Sequence, residues 1–128
     1  MPDPIFFISR NRIKAGKSDE FRRHYLDSLS STMDGKPGTL AQLAYENGDG
    51  NQITIVRLFP SAEALDLQLQ GADARSKAAY QFIEPTSIEI YGTPNPYALE
   101  MMEKVAGSGI DVRIKPKFMG GFIRPKHG

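Results

Sequence analysis

The chain contains no cysteine and no tryptophan, and it has two histidines, His24 and His127. Without cysteine there is no disulfide, no thiolate nucleophile and no cysteine-based zinc or iron–sulfur site, an absence that fits a reducing compartment. No apolar stretch approaches the roughly 20 residues that a bilayer-spanning helix requires. The opening residues, MPDPIFFISR, carry no basic segment, and their apolar run from Ile5 to Ile8 is too short for a secretory signal. The expectation is a cytoplasmic protein with no membrane partner. Charge of one sign is missing too. Sixteen basic and 15 acidic side chains are interspersed and leave a net charge of +1, which gives no electrostatic footprint for nucleic acid. No Gly-rich phosphate loop follows a strand, and neither a serine nucleophile elbow nor metal-ligand spacing is present. No cofactor or metal is therefore expected.

What remains is an ordinary globular composition: 128 residues, 40% hydrophobic and 24% charged, enough for a single domain over residues 1–128. Ile5-Phe6-Phe7-Ile8 is continuously apolar, as in a strand covered on both faces. A chain of this size covers one sheet face with its own helices, so the second cover points to a homodimer. Ser18, followed by Asp19 and Glu20, reads as a helix N-cap. Phe21, Tyr25, Leu26, Leu29 and Met33 then fall within an arc of about 140°, a core-facing stripe. Two strands, Leu40 to Glu46 and Ile53 to Phe59, flank Asn47-Gly48-Asp49-Gly50-Asn51, a hairpin turn.

Ser61 caps the next helical part, whose stripe of Ala62, Leu65, Leu69, Ala72, Ala79 and Ile83 runs across Gly71, a break that reads as a kink or a restart. A second stripe holds Leu67, Ala74, Ala78 and Phe82, so this part is expected between two layers. Pro85 stops it, and Thr86 to Tyr91 reads as the fourth strand. Asn95-Pro96 opens a further helix to Ala106. Ile110, Val112 and Ile114 alternate with polar residues up to Pro116, a strand at a sheet edge or reaching to the other subunit. Together these predict an α+β, ferredoxin-like βαββαβ sandwich over residues 4–92, with a helix–strand extension over 93–128.

Three segments carry a family resemblance: Phe6-Phe7-Ile8-Ser9-Arg10, Ile13-Lys14-Ala15-Gly16-Lys17 leading into the first helix, and Phe59-Pro60-Ser61-Ala62-Glu63-Ala64-Leu65. They resemble the antibiotic-biosynthesis-monooxygenase (ABM) group of dimeric α+β barrels over residues 4–92. That resemblance implies a homodimer and either cofactor-independent oxidation of electron-rich aromatic molecules or haem degradation. The haem-degrading branch uses a histidine axial ligand with an asparagine and a tryptophan. Here tryptophan is absent, and His24 lies about 140° from the centre of the first helix's apolar stripe, on the side expected to be solvated.

Polar residues inside apolar strands are the candidates for chemistry. Arg57 shares a face with Ile53, Ile55 and Phe59, while Glu89 and Tyr91 alternate with Ile88 and Ile90. If one sheet face lines a barrel interior, Arg57, Glu89 and Tyr91 converge there, joined by Tyr45 or Arg10. Arg57, Tyr45 and Arg10 would then bind a small apolar or aromatic substrate through its phenolate or carboxylate; Glu89 would move a proton and Tyr91 would orient the ring. A structural Arg–Glu pair is the alternative for the same residues. Two further readings stay open: a non-enzymatic dimeric ligand-binding or regulatory module, and a tautomerase-like enzyme using the amine of Pro2.

Overall fold

The structure, a computed structural model, describes residues 3–124; Pro2 and His127, and with Pro2 the tautomerase reading, lie outside the described residues. Alternation builds the central strand: β1 (Ile5–Ile13) turns Ile5, Phe7 and Ile13 to one face, all buried. Around it lie α1 (Ser18–Gly35), β2 (Ala41–Glu46), β3 (Gln52–Phe59), α2 (Ala62–Leu69), α3 (Ala72–Ala79), β4 (Ile83–Tyr91), α4 (Pro96–Gly107) and β5 (Asp111–Lys115). They form one sheet in the order β2-β3-β1-β4-β5. β1 runs antiparallel to β3 and β4, β2 antiparallel to β3, and β5 parallel to β4. The first four strands are the ferredoxin-like arrangement. β5 joins at the edge, with α4 as the crossover that a parallel pair requires. Within the described residues the sheet is open, not a closed barrel.

The inner face pairs Ile5 with Phe59, Phe7 with Arg57, Ser9 with Ile55 and Asn11 with Ile53. Two apolar clusters cover its ends. One gathers Ile5, Phe59, Leu65, Ile90, Ala98 and Met102, packing α2 and α4 on the sheet. The other gathers Ile13, Phe21, Ile53, Ile55 and Ile83 beneath α1. Ser61 caps α2 as expected, its Oγ accepting from the Ala64 N–H at 3.2 Å.

Three local expectations are corrected. Ser18 is the first residue of α1; Lys17 holds the N-cap position, without a side-chain bond. The stripe on α1 is turned from the expected one: Leu26 and Met33 are 56% and 71% exposed, and Phe21 is the one buried residue of this helix. The half-buried side instead includes His24, Tyr25, Ser28 and Thr32, because this helix faces a cleft rather than a packed core. The second helical part restarts at Gly71, where φ is 77°, and Leu65, Leu69, Ala72, Ala79 and Ile83 still line one cleft across the break. Finally, β4 begins at Ile83 and contains Pro85. The β1–β4 register shifts between Arg10 and Asn11, leaving Thr86 as an extra residue, and its Oγ1 donates to the Arg10 carbonyl at 3.0 Å. A proline is tolerated at such a bulge because the ladder is already interrupted there.

Candidate functional site

Between the inner sheet face and the helices lies a cleft of about 1010 Å³, with α1, α3 and α4 among its walls. Phe7, Ile55, Phe59, Leu65, Ile83 and Ile88 give it apolar walls. Ser9, Asn11, Gln42 and Arg57 project into it from inward positions of β1, β2 and β3, and Tyr25 from α1. A large apolar cavity with a few convergent polar groups is the usual form of a small-molecule site.

Arg57 is the dominant charge on this floor. Its Nε donates to Gln42 Oε1 at 2.7 Å, and Gln42 Nε2 donates to the Tyr25 hydroxyl at 3.5 Å. No carboxylate pairs with it among the described residues. Burial strips water from the guanidinium and lowers its pKa to about 10, opposed by Tyr25 and reinforced by the charge of Arg75. At neutral pH it stays cationic, with its terminal nitrogens open to an anion. Asn11 is 5% exposed, lines the same cleft, and its carboxamide makes no hydrogen bond among the described residues. The bulge beside it and Pro85 opposite it fix where that amide sits. His24, expected on a solvated side, is half-buried at the cleft, its ring 5.3 Å from that of Phe82. Among the described residues no cluster of three or more His, Asp or Glu is placed to hold a metal ion.

The sheet register separates the candidates named from sequence. Arg57 stands opposite Phe7 and faces the helices. Glu89 stands opposite Ile8, and with Tyr91 it faces the other way. There the Tyr91 hydroxyl donates to Glu89 Oε2 at 2.6 Å, and Arg10 ion-pairs with Glu89. Tyr45 lies on that same outer face but on β2, opposite Thr54 and 59% exposed. The expected convergence of Arg57 with Glu89 and Tyr91 does not form, since strand period 2 sends odd and even residues to opposite faces. An Arg–Glu pair does exist, made by Arg10. Asn11, Gln42 and Arg75 are not among the candidates read from sequence, and Tyr25 reads there as a core residue of the first helix. The available signal was Ser9 and Asn11 at positions of β1 where alternation calls for apolar residues.

This fold, a sheet with helices on one face, is similar to that of ABM-like α+β proteins. MupZ from Pseudomonas fluorescens aligns with a TM-score of 0.72 at 15% identity, covering 96% of this chain and 96% of its own. Such coverage includes most of the α4–β5 extension. SnoaB from Streptomyces nogalater, a cofactor-independent oxygenase, aligns with a TM-score of 0.59 at 14% identity over 73% of this chain and 95% of its own. A candidate antibiotic biosynthesis monooxygenase from Caulobacter crescentus aligns with a TM-score of 0.60 at 19% identity, covering 70% and 88% of the two chains. No family model and no curated protein matches the sequence.

Proposed function

We propose that the cleft binds a small electron-rich aromatic or polyketide-like molecule as its anion and promotes its oxidation by dioxygen without a cofactor. The observation that carries this reading is Arg57: a half-buried cation without a carboxylate partner, on the floor of an apolar cleft large enough for fused rings. SnoaB, described as a cofactor-independent oxygenase, has the same fold. Arg57 would stabilise the substrate's phenolate or carboxylate, and the Asn11 carboxamide would bond an oxygen on the ring. The substrate supplies the electrons: a hydroxyarene and dioxygen give a quinone and water, one oxygen atom entering the ring and the other leaving with two hydrogens.

Arg10, Glu89, Tyr91 and Tyr45 belong, in this reading, to a subunit contact. The outer sheet face carries an apolar strip (Phe6, Leu43, Tyr45) beside a charged strip (Arg10, Glu84, Glu89), with Leu43 and Tyr45 53% and 59% exposed. Apolar area of this kind is covered by a partner when the chain has no element to spare for it, and a second copy completes a two-sheet barrel. No helix among the described residues is long and apolar enough to cross a membrane, and with no cysteine we place the protein in the cytoplasm.

Oxygen uptake against a panel of hydroxynaphthalenes tests the activity. Wild type should consume one dioxygen per quinone formed, and Arg57→Leu should lower the rate roughly a hundredfold, the scale of losing one key anion-stabilising group. Full turnover by Arg57→Leu would remove Arg57 from the mechanism. Tight binding with no oxygen uptake by wild type would instead favour a ligand-binding module.

A further inference from the structure

Arg57 is not the only cation turned toward the cleft. Arg75, Lys77 and Lys104 line it as well, against two carboxylates, Asp73 and Glu100. Neither carboxylate ion-pairs with Arg57 or Arg75 among the described residues. Arg75 is held in place from behind. Its Nη1 donates to the Gln70 carbonyl at 2.9 Å and its Nη2 to the Gln68 carbonyl, so the last turn of α2 positions the guanidinium beside the cleft. Arg57 on the sheet and Arg75 on α3 line the same cleft from opposite walls. Like charges that face one cavity, neither ion-paired to a carboxylate among the described residues, repel, and a ligand that brings an anion relieves that repulsion.

We propose that the ligand carries a carboxylate, which bridges Arg57 on the sheet and Arg75 on α3. A carboxylate suits this position better than a phenolate, because its two oxygens can each take a charge-assisted bond from a different guanidinium. A phenolate offers one oxygen atom. The bridge would also tie α3, which buries none of its own residues, to the sheet. This inference rests on the cleft being the substrate site and specifies the acidic group it selects.

The test is a matched pair of probes, 2-naphthol and 3-hydroxy-2-naphthoate, titrated calorimetrically at pH 7.5 into wild type, Arg75→Gln and Arg75→Lys. Wild type should bind the naphthoate about tenfold more tightly than the naphthol, the scale of one added charge-assisted bond. In Arg75→Gln that preference should shrink to about twofold or less, and Arg75→Lys, which keeps the charge but cannot make both bonds to the Gln68 and Gln70 carbonyls, should fall between the two. Equal affinity for the two probes in wild type overturns the inference while leaving the aromatic site intact. So does a preference undiminished in Arg75→Gln. If neither probe binds wild type, the aromatic-site reading falls and this inference falls with it.

Discussion

Arg57 costs stability where it stands. Its pKa is lowered to about 10, chiefly by burial, so the folded state holds the charged form less well than the unfolded chain does. The penalty is fully present below pH 10 and is relieved as pH rises from there toward the ordinary arginine range, since over that interval the unfolded chain binds more protons. Arg57→Leu should therefore melt at the same temperature as wild type or a few degrees higher at pH 7, with the difference narrowing as pH passes 10. A lower melting temperature in differential scanning calorimetry would mean that the guanidinium contributes to the fold. Asn11→Ala follows the same logic. Its amide has no protein partner to lose, so stability should fall by no more than about 1 kcal/mol, while affinity for an aromatic probe falls roughly tenfold. A larger loss of stability would assign the amide to structure. Arg57 was legible in the sequence as the polar member of an apolar strand face. Its true neighbours were not, because Gln42, Tyr25 and Arg75 lie on three other elements that only the sheet register and helix placement bring together.

Among elements, the β2–β3 hairpin and the cap of α2 were the most readable. The hairpin between β2 and β3 and the Ser61 cap follow from local chemistry that tertiary context seldom overrides. The misread places were those where a local rule meets a tertiary demand. Pro85 reads as a helix stop, yet it sits within β4 at the bulge that aims Asn11. The apolar stripe of α1 reads as core, yet Leu26 and Met33 are exposed because the helix bridges a cavity. At the β4–α4 connection, Gly92 has φ 117°. A Cβ there would come within 2.9 Å of both Ile5 Cγ1 and the Pro4 carbonyl oxygen. Backbone cannot yield cheaply, so Gly92→Ala should destabilise by about 2 kcal/mol or more, read as a fall in melting temperature. An unchanged melting temperature would contradict this close approach of β4 to the start of β1.

On the scale of the molecule, the βαββαβ order and the added helix–strand unit could be read from periodicity. Which sheet face carries the site could not, since both faces of β1 hold apolar and polar residues in turn. With helices on the Phe7 side, the cleft takes Asn11 and Arg57, and the outer face keeps Leu43, Tyr45, Glu89 and Tyr91. Light scattering should give twice the 14.2 kDa chain mass, and Leu43→Glu, which puts a charge into the outer apolar strip, should shift the protein to monomer with the cleft still folded. A wild-type monomer would remove the second copy from the account. The assignment of the site to the helix-covered face is tested most directly by isoleucine-methyl NMR during titration with 3-hydroxy-2-naphthoate. The methyls of Ile55, Ile83 and Ile88, which line the cleft, should shift while that of Ile8, on the outer face opposite Glu89, stays in place. Shifts at Ile8 with the cleft methyls unmoved would put the ligand on the other side of the sheet and contradict it.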